Sequence, residues 1–193
     1  MSIFRLSAWL IPLLWTAWGL YWMVSAGSVK ATERTESLGS RLAHILPLLF
    51  AGWLLATKHM PIEPLTQPIF APTFYWRYPI GALIVALGLG FASWARLHLG
   101  RNWSGTVTVK AGHELIDSGP YGLVRHPIYT GLILALIGTV LALDQWRGLL
   151  VIAIVFVTLW RKLRVEERFM LEAFGERYAD YRRRVPALLP RLR

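Results

Sequence analysis

Residues 127–160, PIYTGLILALIGTVLALDQWRGLLVIAIVFVTLW, hold two apolar runs separated only by Asp144, Gln145, Trp146, Arg147 and Gly148. The runs, Pro127 to Leu143 and Leu149 to Trp160, carry no charge, so neither has a face suited to water. The short polar break, which ends in glycine, reads as a tight turn between two antiparallel helices. Both runs fall below the roughly 20 residues of a full membrane crossing. Trp160 and Arg161 can prolong the second while their polar ends reach the interface. The stretch therefore predicts a helical hairpin in lipid.

Three further runs precede it: Ile3 to Val24 with Pro12 as a candidate kink, Leu42 to Thr57 between Arg41 and Lys58, and Pro79 to Leu97. Gly81, Gly88 and Gly90 in the third favour close helix contact. The chain has 193 residues, 55% of them hydrophobic, and a mean hydropathy of +0.44. A water-soluble domain of that size has too little interior to hide so much apolar surface. The expected fold is all-α. It is a single integral membrane domain over residues 1–193 with about five transmembrane helices, three of them within 1–97. Residues 98–193 supply a cytoplasmic loop, the C-terminal hairpin and an amphipathic tail. A cleavable signal peptide fits the N-terminus less well, because the run is long and lacks a strongly basic start. There is no cysteine, which excludes disulfides, thiolate chemistry and cysteine-based metal sites. No spacing suggests any other metal site.

The formal charge of +10 comes from 21 Lys and Arg against 11 Asp and Glu. With the N-terminus outside, 17 of the 21 Lys and Arg fall on the inner side, including the ten from Arg161 to Arg193. Positive charge accumulates on the cytoplasmic side of membrane proteins. The chain is thus expected in an inner or plasma membrane with its C-terminus in the cytoplasm, and its basicity needs no nucleic acid.

Between the runs, Lys58 to Tyr78 interleaves four prolines with aromatics and is expected to lie along the outer interface. His98 to His126 contains an alternating Thr106-Val107-Thr108-Val109 and two turn signals. From Leu163 to Tyr181 apolar residues recur at helical spacing, interrupted at Gly175, as in a helix lying on anionic lipid. His44 and His59 have no companions in sequence that suggest chemistry. Tyr178 and Tyr181 read as packing residues, and Trp103 as an interfacial belt residue or a pocket wall.

Four elements share the inner side: His113-Glu114-Leu115-Ile116, Gly119-Pro120-Tyr121, Arg125-His126-Pro127-Ile128-Tyr129, and Glu166-Glu167. The hairpin brings the last two to one membrane face. Pro127 opens a helix whose first N–H groups and positive end suit an anion, and Arg125 and His126 add donors. Tyr121 and Tyr129 offer flat faces for a ring or a cation. Glu166 offers acceptors for hydroxyls or an ammonium.

The ordered motifs Gly100-Arg101-Asn102-Trp103-Ser104, His113, Gly119-Pro120-Tyr121, Arg125 to Tyr129, Gly131, Glu166-Glu167, Phe174-Gly175 and Val185-Pro186 resemble the isoprenylcysteine carboxyl methyltransferase family. The resemblance covers about half the chain, roughly Leu97 to Pro190. It implies S-adenosylmethionine as cofactor, with S-adenosylhomocysteine as product. Cofactor contacts would fall at His113, Glu114, Leu115, Ile116, Tyr121, His126, Pro127, Ile128, Tyr129 and Glu166, with Arg125 beside them. It also implies an arginine facing the acceptor near the end of the fifth helix; here Lys162 stands there, flanked by Arg161 and Arg164. Lysine does not grip a carboxylate as arginine does. The expected activity is methyl transfer to a lipophilic or lipidated acceptor, with Lys162, Arg161 and Glu167 as candidate catalytic groups. A protonated acceptor would need a base, for which Glu167 and His126 are the candidates. Phospholipid or small-amine N-methylation, and a non-catalytic subunit on the same scaffold, are the alternatives. A reporter fused to the C-terminus should be active only in the cytoplasm; activity outside would overturn the orientation.

Overall fold

In the computed structural model, which describes residues 3–25, 32–57, 60–103, 108–110 and 115–191, each apolar run is a helix. α1 spans Ile3–Ser25 and continues through Pro12. After the strand β1, Thr32–Thr35, α2 spans Leu38–Ala56, its start capped by the Ser37 hydroxyl, which accepts from the Ser40 N–H at 3.3 Å. The proline-rich loop forms one short turn of helix, α3, Glu63–Thr66. α4, Arg77–Leu99, ends at Gly100, whose φ of 54° a side chain would resist. A 3-10 turn, Gly100–Asn102, follows, then β2, Thr108–Lys110. β2 pairs antiparallel with β1 and so ties the connection between α1 and α2 to the one that follows α4. The alternating segment predicted at 106–109 is partly realised in β2; β1 was not legible, because its residues carry no alternation of their own.

α5, Pro120–Leu123, and α6, Pro127–Leu143, lead into α7, Trp146–Phe174. The hairpin forms as expected, with α6 beginning at Pro127. The tail is helical with the expected break at Gly175, but it is continuous with the last apolar run. Nothing between Leu149 and Phe174 breaks a helix, so the last apolar run and the first part of the tail are one helix of 29 residues. The break comes at Gly175, with φ 53°, and α8, Glu176–Arg184, turns back toward the start of α6.

Packing is tightest between α4 and α6, and glycine is the reason. A Cβ on Gly88 would stand 2.5 Å from the Ala135 nitrogen, and one on Gly81 would stand 2.6 Å from the Gly138 carbonyl oxygen. Gly131 and Gly138 are equally constrained from the other side. Two glycine pairs, seven residues apart on each helix, let the backbones touch at two levels. Gly90, which shares the sequence signal, meets nothing within 4 Å and takes no part. α1 packs on α4, with its Trp15 N–H also donating to the Thr139 hydroxyl of α6 at 2.9 Å, and α2 packs on α7, so by closest backbone packing the order is α1, α4, α6, α7, α2. The helices adjacent in sequence at the start of the chain thus stand at opposite ends of the row.

At the α6–α7 turn, Asp144 terminates α6 in a left-handed conformation and accepts from the Ile69 and Phe70 N–H groups at 3.0 and 2.8 Å, with Arg77 at 3.5 Å. Buried Arg147 donates to the carbonyls of Leu54 and Thr57 at the end of α2. These charges staple the proline-rich loop and the α6–α7 turn together. Leu13, Leu49, Leu83 and Val157 stay exposed on the outer surface of the row. α2 and α4 are long and apolar enough to cross a membrane, and α6 is a shorter apolar helix.

Gly88→Ala is expected to lower the thermal midpoint in detergent, because overpacking typically costs about 1–3 kcal/mol. Gly90→Ala, which meets only open space and gains helix propensity, should not lower the midpoint.

Candidate functional site

The start of α6 and the inner half of α7 meet through charge. The Arg125 guanidinium donates twice to Glu167 Oε1, at 2.8 and 2.5 Å, and also to the carbonyls of Arg182 and Val185. His126 lies between both carboxylates, with Nδ1 3.5 Å from Glu166 Oε2 and Nε2 3.4 Å from Glu167 Oε1. The Tyr129 hydroxyl donates to Glu166 Oε1 at 2.5 Å, and Lys162 Nζ stands 3.9 Å from the same oxygen. The rings of His126 and Tyr129 stack at 5.5 Å, and the Lys162 ammonium sits 5.6 Å over the Tyr129 ring.

Backbone geometry fixes this group. The Arg125 and His126 N–H groups donate to the carbonyls of Pro186 and Ala187 at 2.8 and 3.0 Å, and the Thr130 hydroxyl donates to Leu188 O at 2.7 Å. The segment after α8 is therefore strapped along the entry to α6. Tyr181 adds a bond from its hydroxyl to Tyr121 O at 2.7 Å and packs with Leu115, Tyr178 and Val185 in one buried cluster. Part of the apolar face of the tail expected to lie on lipid thus packs inside the fold. Among the tail arginines, Arg182 pairs with Glu167, Arg183 with Glu176 and Asp180, and Arg184 with Asp117.

Burial opposes charge on His126, but hydrogen bonds and attraction from Glu166 and Glu167 outweigh it and raise the imidazole pKa. Burial likewise opposes charge on Glu166 and Glu167. The His126 hydrogen bond, aided by Lys162 for Glu166 and by Arg125 for Glu167, brings both below the ordinary carboxylate value. Burial, then the nearby Glu166, pushes the Tyr121 hydroxyl well above its usual range.

A cavity of about 420 Å³ opens on this cluster. Its inner end is walled by Trp103, Leu115, Ile116, Tyr121, Tyr178 and Tyr181; its middle by Arg125 to Tyr129, Lys162 and Glu166. Its deeper end lies among Trp18, Ile45, Leu48, Leu132 and Leu159. The sequence-predicted Leu115, Ile116, Tyr121, Arg125, His126, Pro127, Ile128, Tyr129, Lys162 and Glu166 thus share one cavity. His113 and Glu114 lie outside the described residues. Glu167 and Arg161 do not line it. Glu167 stands behind Arg125 and His126, and Arg161 turns to α2, where it donates to Ser40 O at 3.3 Å.

Sequence reasoning missed the walls supplied by α1 and α2: Trp18, Trp22, Arg41 and His44. Arg41, His44, Ile45 and Leu48 follow the i, i+3, i+4, i+7 spacing of one helix face, and that was the available signal. His44, expected to be structural or exposed, is buried against Glu36 at 3.1 Å and reaches the cavity. Trp103 is a cavity wall, held between Trp22 and the Arg96 guanidinium.

The profile of the phospholipid methyltransferase family matches residues 76–177. Curated relatives include the cobalt-zinc-cadmium resistance protein CzcN of Cupriavidus metallidurans, 34% identical over 61% of this chain and 52% of that protein. The protein-S-isoprenylcysteine O-methyltransferase of Schizosaccharomyces pombe is 31% identical over 77% of this chain and 64% of its own length. A probable protein-S-isoprenylcysteine O-methyltransferase of Oryza sativa is 30% identical over 74% of this chain and 78% of its own. The chain thus spans about half of one relative and most of another.

The charge cluster has a pH signature. The raised pKa of His126 contributes stability that is complete below the ordinary histidine value of 6.5 and lost as pH rises through the folded value. The lowered pKa values of Glu166 and Glu167 contribute stability that is complete above their ordinary 4.5 and lost as pH falls through the folded values. The thermal midpoint should therefore decline on both sides of that window, and His126→Gln should remove the decline on the alkaline side that wild type shows.

Proposed function

Because the chain belongs to the phospholipid methyltransferase family, we propose that it is an integral membrane methyltransferase that uses S-adenosylmethionine to methylate a lipophilic acceptor. The observation that carries this reading is the single cavity, which joins a polar, charged end to an apolar end. Five crossings fit the row of helices: α1, α2, α4, α6 and the first part of α7, with the N-terminus outside and the C-terminus in the cytoplasm of an inner or plasma membrane. The exposed apolar faces of the row and the charge asymmetry support that placement.

The residues present fit the cofactor. No side chain caps the N-terminus of α6, so its first N–H groups, beside Arg125 and His126, can accept a carboxylate. The faces of Tyr121 and Tyr129 and the carboxylate of Glu166 suit a cation such as a sulfonium. Leu115, Ile116 and the tyrosines of α8 exclude water from the same end. When bound, S-adenosylmethionine would supply an electrophilic methyl group; an anionic acceptor needs no base to bond to its carbon as the C–S bond breaks and S-adenosylhomocysteine leaves.

Trp18, Ile45, Leu48, Leu132 and Leu159 would hold the acceptor's apolar tail. Lys162 is the basic group of α7 that borders the cavity, and it would meet the acceptor's polar end. Glu167 and Arg161 then act from behind the wall. Glu167 holds Arg125 and His126 in position, while Arg161 secures α2. Catalysis would rest on orientation and water exclusion. A carboxylate acceptor of the isoprenylcysteine kind is favoured by relatives that bear that name. N-methylation of an amine lipid is the second reading, favoured by the family description; a product carrying more than one transferred methyl would select it.

Calorimetry in detergent should register S-adenosylhomocysteine binding, weakened by about tenfold or more in Glu166→Gln, since hydrogen bonds to charged groups contribute about 1.5–3 kcal/mol. No heat from a folded wild-type sample would refute the cofactor assignment.

A further inference from the structure

Five side chains along the cavity wall can carry positive charge: Arg41, His44, Arg125, His126 and Lys162. Four have acidic partners. Arg125 pairs with Glu167 at 2.5 Å, and His126 lies between Glu166 and Glu167. Lys162 stands 3.9 Å from Glu166, and His44 is 3.1 Å from Glu36. Arg41 borders the same cavity with no acidic partner among the described residues. A guanidinium that is half-buried on a cavity wall pays a desolvation cost that an anion in the cavity would offset.

The surroundings of Arg41 say which anion. It lies in the first turn of α2, and His44, Ile45 and Leu48 continue its face into the apolar end of the cavity. Residues 41 to 48 cover about 10 Å of helix at the usual rise, so a ligand whose tail lies against Ile45 and Leu48 carries its head group past Arg41. The tyrosines and Leu115 that wall the inner end come from other elements, α5, α8 and the segment before α5. The Glu36–His44 pair has a part in this arrangement. Arg161 Nη1 stands 3.4 Å from His44 Nδ1 and donates to Ser40 O, so α2 holds that guanidinium outside the cavity. The basic residue of α7 left at the wall is Lys162.

We propose that Arg41 is a specificity determinant for the methyl acceptor, binding an anionic group on its head from the α2 side while Lys162 meets it from α7. The assignment rests on the methyl-transfer reading, and it adds a second helix to acceptor recognition. It also explains how lysine can stand on α7: the planar, two-pronged grip on a carboxylate comes from Arg41 instead.

The test compares N-acetyl-S-farnesylcysteine with its neutral carboxamide, by calorimetry on the full chain in detergent without cofactor. Wild type should bind the acid about tenfold or more tighter than the amide, as expected for one charge-assisted hydrogen-bonded contact. Arg41→Ala should erase that preference and Arg41→Lys should restore part of it. Both variants should keep wild-type affinity for S-adenosylhomocysteine, which also shows that they are folded. Arg41→Ala that still prefers the acid overturns the proposal. So does Arg41→Ala that loses S-adenosylhomocysteine while wild-type unfolding behaviour is kept, since that moves Arg41 to the cofactor. Wild type that binds neither probe, or both equally, yet binds S-adenosylhomocysteine, overturns it while leaving the methyltransferase reading intact. Absence of S-adenosylhomocysteine binding in wild type counts against methyl transfer, and the acid–amide comparison still reads the anion site.

Discussion

Two consecutive carboxylates on one helix, Glu166 and Glu167, hold two cations at the mouth of another, Arg125 and His126. Everything near the cavity depends on that junction. Buried ion pairs are weak sources of net stability, because desolvation consumes most of what attraction returns. Their effect here is positional. Glu167 aims Arg125 at the carbonyls of Arg182 and Val185, which strap the chain after α8 against the start of α6. Glu166, on the next residue, faces the cavity and orders His126, Tyr129 and Lys162 around itself. One helix turn thus divides its acids between holding the scaffold and lining the pocket.

That junction forms where α6 and α7 are held at a set height, by the close approach of Gly148 to Val140 near their turn, while glycine contacts hold α6 on α4. Backbone contact at Gly81–Gly138 and Gly88–Gly131 leaves little freedom to slide. Asp144 and Arg147 fasten the α6–α7 turn to the loop after α2 and to the end of α2 itself. With α1 on α4 and α2 on α7, the two tips of the row face each other across the deep end of the cavity. The apolar end that a lipid tail would need is therefore lined by the first two helices together with Leu132 of α6 and Leu159 of α7, and the charged end by α6 and α7 with Arg41 and His44 of α2.

The sequence made some of this legible, for identifiable reasons. Apolar runs bounded by charge mark the helices well, and the hairpin forces residues some 40 apart, Arg125 and Glu167, to one membrane face. Local motifs therefore converged on one cavity. What escaped was whatever depends on packing between distant segments. Gly90 carries the same local signal as Gly88, and only the partner helix distinguishes them. Glu167 and Arg161 are neighbours of Glu166 and Lys162 in sequence, yet the helical turn sends them to other partners. α1 and α2 have no motif, and their place opposite α6 follows from which helix each packs against.

The central claim is that one cavity receives a methyl donor at its polar end and a lipophilic acceptor at its apolar end. Its most direct test is transfer of a deuterated methyl group from S-adenosylmethionine into a total lipid extract by the purified protein, with labelled products identified by mass spectrometry. The account predicts a labelled lipophilic product carrying a single transferred methyl on a carboxylate, strongly reduced in Glu166→Gln. A labelled product that is water-soluble and without an apolar tail, or a folded wild-type protein that labels nothing, would contradict it.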